Sequence, residues 1–264
     1  MRTILFLIGA AIAHAGSAPL YVFDNGAGRG VLTIEQQAGL AKKLGYQGLL
    51  HTGTKDLTQV VAAHKARGLK LLGIYTGMNV SDAKPGYDPG LPQAIKEMKG
   101  SGALITFTVN GKGANGDDIA VPVIREIADM AAASGLKVAL YPHYGMHVAR
   151  IEDAIRIIEK VKRPNVGLIF NLCHWLRSGD EANLDLRLKE ALPHLLMVSI
   201  NGSEHDGDWD RLIQPLDSGA YDVKGFVKKV RSLKFKGPIG LQCFNIKGDR
   251  EELLTRSMKA WKKF

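Results

Sequence analysis

Cysteine is scarce in this sequence: of 264 residues, only Cys173 and Cys243 carry a thiol. That excludes a small disulfide-stapled scaffold. Long apolar runs are lacking beyond the N-terminus, which excludes a membrane-spanning helical bundle. No G-x-G-x-x-G follows the first β-rich run. The stretch Gly26-Ala27-Gly28-Arg29-Gly30 has the wrong spacing and precedes the first helical pattern by several residues, so the main dinucleotide-binding signal is missing. Acidic residues are outnumbered, 26 Asp and Glu against 35 Lys and Arg, for a formal charge of +9. Such an excess points to nucleic acid, an anionic polymer or a membrane surface when it is clustered. Here Lys42, Lys43, Lys65, Lys96, Lys160, Lys228, Lys229 and Lys262 are spread over helical patterns as solvated outer faces. The densest stretch, 228–236, reads as the end of a surface helix. Neither a nucleic-acid partner nor a membrane partner is expected for the mature chain.

The first 18 residues read as a secretory signal peptide. Arg2 gives a short positive region, residues 4–13 form an apolar run too short to anchor in a bilayer, and Ala13-His14-Ala15 fits a small-x-small cleavage site. Cleavage is expected after Ala15 or Ala18, leaving an exported protein, periplasmic or secreted, with one domain over 19–264.

From Leu20 onward, β-rich runs alternate with helical ones. The strands are predicted at 20–26, 45–53, 69–80, 103–111, 136–145, 165–174, 195–203 and 237–246. Helices are predicted at 33–44, 55–67, 90–99, 119–134, 151–161, 181–191, 222–232 and 249–262. Thr33 with Gln36 has capping-box spacing, and Gly45, Gly68, Gly100 and Gly135 stand where left-handed C-caps belong. Eight such βα repeats predict an α/β fold, a (β/α)8 TIM barrel, with a doubly wound open sheet as the alternative.

In such a barrel the chemistry belongs at the C-terminal strand ends. Those ends are polar: Asp24-Asn25, His51-Thr52, Tyr141 and His143, Asn171, Ser199 and Asn201, and Gln242. On the fourth strand, Thr106, Thr108 and Asn110 share one face and Ile105, Phe107 and Val109 the other, so the hydroxyls are expected inside. His174 and Trp175 sit at the exit of the sixth strand, and Trp209 lies in the loop after the seventh. Many hydrogen-bonding groups beside aromatic rings suit a polyhydroxylated ligand, a sugar or oligosaccharide. His143 and His174 are the candidate acid/base groups, because imidazole titrates near neutrality. Asn25, Tyr141, Asn171, Trp175, Ser199, Asn201, Trp209 and Gln242 are the candidate substrate contacts. Glu204, His205 and Asp206 occupy a loop that either closes over a ligand or is a solvated turn. Strand alternation turns Cys173 inward with Asn171 and Cys243 outward from Gln242, so two free buried thiols are expected.

The segment PLDSGAYD at 215–222 resembles the P-L-G-x-G-x-x-D segment of the xylose-isomerase-like TIM-barrel superfamily, and GYQG at 45–48 resembles its second-strand opening G-[YF]-D-G. The resemblance runs from about Val22 to Lys262. It implies sugar isomerase, epimerase or lyase-like activity, and it includes an endonuclease branch. It also implies a divalent metal held by a Glu, an Asp, a His and a Glu on strands five to eight. By motif position these fall on Tyr141, Asn171, Ser199 and Gln242, with His143 the alternative on strand five. Every replacement is neutral, and hard divalent ions prefer anionic oxygens. No metal ligand is therefore assigned and no cofactor is expected, a weak or displaced Mn, Mg or Zn site at His143, His174 and a loop carboxylate being the exception left open. The expected activity is that of a sugar isomerase, epimerase or lyase. The alternative is a non-catalytic carbohydrate-binding protein on a retired isomerase scaffold. Members of the superfamily often associate, so oligomers are left open.

Overall fold

The computed structural model describes residues 18–82 and 86–264. The leader expected over 1–18 lies outside them up to residue 17. Eight parallel strands close into a barrel in sequence order: β1 (Leu20–Phe23), β2 (Gly48–Thr52), β3 (Lys70–Asn79), β4 (Leu104–Asn110), β5 (Lys137–Leu140), β6 (Val166–Asn171), β7 (Leu195–Ile200) and β8 (Ile239–Leu241). Closure through the β1–β8 pairing settles the choice against an open sheet.

All eight helical predictions are present: α2 (Ile34–Leu44), α3 (Leu57–Ala66), α4 (Leu91–Glu97), α5 (Gly116–Ala133), α6 (Ile151–Val161), α8 (Leu184–Ala191), α10 (Val223–Ser232) and α11 (Arg250–Trp261). Among the described residues, three short α-helices were not expected: α1 (Asp24–Ala27), α7 (Leu172–Arg177) and α9 (Trp209–Leu212). Each lies at the C-terminal mouth, where it cuts short the run that the sequence assigned to a strand or a loop.

Local chemistry explains several boundaries. Thr33 Oγ1 accepts from the Gln36 amide at 3.2 Å while the Gln36 side chain accepts from the Thr33 amide at 2.9 Å, a complete capping box. The glycines expected at helix ends all take positive φ, Gly45 at 89° among them, which lets the chain leave the helix without a Cβ clash.

The strands separate two apolar layers. Ile105, Phe107 and Val109 of β4 face the helices, as alternation requires. Leu104 of the same strand joins Tyr21, Phe23, Leu50, Leu72, Ala139, Tyr141, Ile169 and Met197 inside the barrel. The inward Thr106 and Thr108 hydroxyls donate to the β3 carbonyls of Ile74 and Thr76 at 2.8 and 3.4 Å. Those hydroxyls therefore strengthen the wall rather than await a ligand, while Asn110 is exposed.

Candidate functional site

A cavity of about 520 Å³ opens at the C-terminal mouth. Its floor and walls include Phe23, Asn25, Arg29, Leu50, Thr52, Tyr75, Tyr141, His143, Tyr144, His174, Trp209, Gln242 and Phe244. The expected residues Asn25, Tyr141, His143, His174, Trp209 and Gln242 are thus brought together.

Gln242 ties the exit of β8 to the exit of β1. Its Oε1 accepts from the Asn25 side-chain amide and from the backbone amides of Cys243 and Phe244 at 2.9 and 3.0 Å. Its Nε2 donates to the Tyr141 hydroxyl at 3.2 Å. Tyr141 is almost fully buried, and burial pushes its phenol well above its ordinary value of 10.0, so it stays protonated. Its ring meets Tyr75 edge-on, with centroids 5.2 Å apart.

Asn171 and Ser199 lie beneath the cavity rather than on its surface. They are register partners on β6 and β7. The Ser199 hydroxyl donates to Asn171 Oδ1 at 2.9 Å, and the Cys173 thiol approaches the same oxygen at 3.3 Å. Asn171 Nδ2 is buried without a protein partner. Trp175 and Asn201 stand apart from the cavity. Trp175 packs behind β6 against Phe170 and Tyr221, and the Asn201 amide donates to the Gly202 and Leu212 carbonyls, fixing its own loop. Glu204 and His205 also point elsewhere: Glu204 accepts from the Ala220 amide and His205 pairs with Glu181 at 2.7 Å.

The reason for the Trp175 displacement is α7. The chain turns from strand into helix immediately after Asn171, so residues 172–177 follow a helical rather than a two-residue period. His174 then faces the cavity, and Trp175 turns outward. The same turn removes the premise of strand alternation at Cys173. The expectation itself stands, since both thiols are free and buried.

The two imidazoles form a pair. Their ring centroids are 3.8 Å apart with the planes tilted by 38°. The Tyr144 amide donates to His174 Nδ1 at 3.2 Å, which places the His174 proton on Nε2. His143 Nδ1 donates to the Tyr144 carbonyl at 3.1 Å, which leaves its Nε2 lone pair free. Burial lowers the pKa of both, that of His174 well below 6.5, with the neighbouring His143 adding to the effect. Trp209 meets His174 edge-on at 5.0 Å and Tyr144 at 6.2 Å.

Arg29, Tyr75 and Tyr144 were missed by the sequence reading, and Thr52 was seen as a polar strand end without being counted as a substrate contact. Arg29 follows the unforeseen α1, and Thr52 and Tyr75 become neighbours only through the β2–β3 register. Asp24 is buried at the base of this corner. Its carboxylate accepts from the Thr52 amide and hydroxyl at 2.6 and 2.7 Å.

The donor set does not fit the divalent ion that the family resemblance implies. Such an ion needs free, preferably anionic, oxygens. Here Gln242 Oε1 already accepts three hydrogen bonds, Asn171 Oδ1 is engaged by Ser199 and Cys173, and the Tyr141 phenol is neutral. Among the described residues, no three His, Cys, Asp or Glu converge as a metal-binding group.

Solved structures share this architecture. The chain resembles 3-keto-D-glucoside 4-epimerase, YcjR, from E. coli at 17% identity and a TM-score of 0.74, covering 93% of this chain and 99% of that one. It resembles the IolI protein, solved with a bound zinc atom, at 18% identity and 0.74, covering 92% and 96%. It resembles D-allulose 3-epimerase from Methylomonas sp. in complex with D-allulose at 16% identity and 0.73, covering 94% and 97%. No curated protein matches the sequence. Identities this low speak for shared architecture alone. The sequence itself matches the family model over residues 38–264, and on that match, together with the closed eight-stranded barrel, the chain belongs to the xylose isomerase-like TIM barrel family.

Proposed function

We propose that this barrel moves a proton next to a sugar carbonyl, as an epimerase, isomerase or lyase does, without the divalent metal implied by the family resemblance. The observation that carries this reading is the complementary tautomer pair in the mouth. His143 Nε2 offers a lone pair and His174 Nε2 offers a proton, with ring centroids 3.8 Å apart. In the proposed step His143 takes the proton from the carbon bearing a hydroxyl beside the carbonyl. The C–H electron pair becomes the carbon–carbon double bond of an enediol, and the carbonyl oxygen takes up the His174 proton. Return of a proton to the opposite face gives an epimer, and return to the neighbouring carbon gives an isomer. Tyr141, Asn25 and Gln242 hold hydroxyls, and Trp209, Tyr144 and Phe244 offer faces to the C–H side of the ring. Asn171 and Ser199 act from beneath, by keeping the floor polar and fixed. Low-dielectric surroundings strengthen these fixed dipoles.

Sugar epimerases among the structural neighbours support a sugar as the ligand. The leader pattern over residues 1–18 supports export, where an enzyme of this kind would meet products of polysaccharide breakdown. A second reading is a carbohydrate-binding protein that no longer turns over. The neutrality of all four expected ligand positions favours it.

The deciding measurement is exchange of solvent deuterium into a panel of ketoses, 3-keto-glycosides and aldoses. Catalysis predicts exchange that falls by about 10²–10⁴-fold in His143→Gln. Tight binding of the same sugars without exchange sinks the enzyme and leaves the second reading. Stoichiometric Mn, Zn or Mg in the purified active protein refutes the metal-free step.

A further inference from the structure

Among the charged side chains of the described residues, Arg29 alone lines the cavity, and no aspartate or glutamate does. Its recorded partner is Asp24, through a single contact of 3.4 Å at the long end of the hydrogen-bond range. That carboxylate is already held more closely by the Thr52 amide and hydroxyl, at 2.6 and 2.7 Å. Arg29 is 41% exposed while Asp24 is 3% exposed, so the negative group lies behind and the guanidinium in front. A guanidinium presents a planar fork of N–H donors that matches a carboxylate in bidentate fashion. Most of that fork is unused here.

Among the described residues, no other group that lines the cavity supplies a compensating negative charge. The Tyr75 and Tyr141 phenols are held protonated by burial. Asn25 and Gln242 are neutral, and the imidazoles are neutral or cationic. Behind the aromatic wall, the Arg177 guanidinium sits 5.5 Å from the Tyr144 ring centre and 5.6 Å from that of Trp209, which adds a second positive field. Its own counter-ion, Asp208, is highly exposed and outside the cavity. A neutral sugar would leave the Arg29 fork to water. A dianionic phosphate would meet one guanidinium where two or more cations usually converge.

We infer that the sugar taken by this site carries a carboxylate, as a uronate or an aldonate does, and that Arg29 is the residue that selects it. The inference rests on the sugar-site reading above and narrows its substrate class. The carboxylate docks at the β1 exit against Arg29, which leaves the remainder of the ring between the aromatic faces and the imidazole pair.

The test is calorimetric binding of matched probes, D-glucuronate against D-glucose and D-galacturonate against D-galactose. The wild-type protein prefers each acid by about tenfold to a hundredfold, the range of a charge-assisted hydrogen-bonded pair. In Arg29→Gln the preference falls to about one. Arg29→Lys keeps part of it, because charge survives while the fork is lost; this variant also guards against a folding defect in the first. Equal affinity for acid and neutral sugar, binding of neither acid, or a preference that survives in Arg29→Gln overturns the inference. Acid binding without deuterium exchange keeps it and refutes catalysis. Exchange into neutral sugars alone does the reverse.

Discussion

Replacing Gln242 by Ala separates a structural keystone from a vestigial ligand. In the structure its Oε1 accepts three hydrogen bonds, from Asn25 Nδ2, Cys243 N and Phe244 N. Truncation leaves the Phe244 backbone amide and the Asn25 side-chain amide without their acceptor. The Cys243 amide retains only the 3.3 Å contact to Asn25 Oδ1. The Tyr141 hydroxyl also loses its donor. A buried polar group left unpaired costs about 1–3 kcal/mol; with two amides unpaired where water can partly reach them and two more groups partly deprived, the loss is about 2–4 kcal/mol. With an unfolding entropy of about 2.1 cal/mol/K per residue, a barrel of this length loses about 4–8 °C of Tm. Gln242→Glu is nearly the same shape. Its carboxylate can accept the same three N–H groups, and the Tyr141 hydroxyl can turn to donate to it, so less than half of that loss is expected. Urea unfolding followed by tryptophan fluorescence, with a parallel calorimetric scan, reads both variants. Gln242→Ala within about 0.5 kcal/mol of wild type refutes the keystone role, since changes of that size are typical of featureless surface sites. So does a Glu variant that unfolds as readily as the Ala variant.

Two further outcomes are expected. His64, His143 and His174 all have pKa values lowered by burial from 6.5. The folded state therefore binds fewer protons than the unfolded chain once the pH drops below 6.5. Stability is full above that pH and declines as the pH falls towards the folded values; an unfolding midpoint flat between pH 7 and 5 refutes the burial of these rings. The thiols of Cys173 and Cys243 are each pushed up to about 12 by burial. Ellman's reagent should leave the native protein untouched at pH 8 and count two thiols after denaturation. Rapid reaction of either thiol in the native state shows that its site is open.

Much of the fold was legible because strand–helix alternation is written locally. Thr33 and Gln36 announce the start of α2, and Gly45 announces its end. The β4 alternation of Ile105, Phe107 and Val109 against Thr106 and Thr108 fixes which face meets the helices. The site was legible only in part. Tyr141, His143 and Gln242 were expected at the mouth because a strand end in a barrel must point there, and all three line the cavity. Trp175 was misplaced because the segment NLCHWL suits either a strand exit or a helix, and the periodicity of so short a run cannot choose. Asn201 was expected to face a ligand, yet its nearest acceptors are the carbonyls of its own loop.

By itself the sequence determined the barrel, the polarity of its mouth and the neutrality of the four positions where an anionic ligand set was implied. Those are properties of residue type and period. Only the tertiary structure decided which of these groups are free. It spends the Gln242 carbonyl on three amides, lowers Asn171 and Ser199 beneath the floor, and turns His174 on α7 to stack with His143. It also carries Arg29 into a cavity that, among the described residues, no aspartate or glutamate lines, with buried Asp24 only behind it at 3.4 Å. Hydrogen-bond competition and the packing of distant strand ends set these outcomes, and neither is encoded in any single stretch of chain.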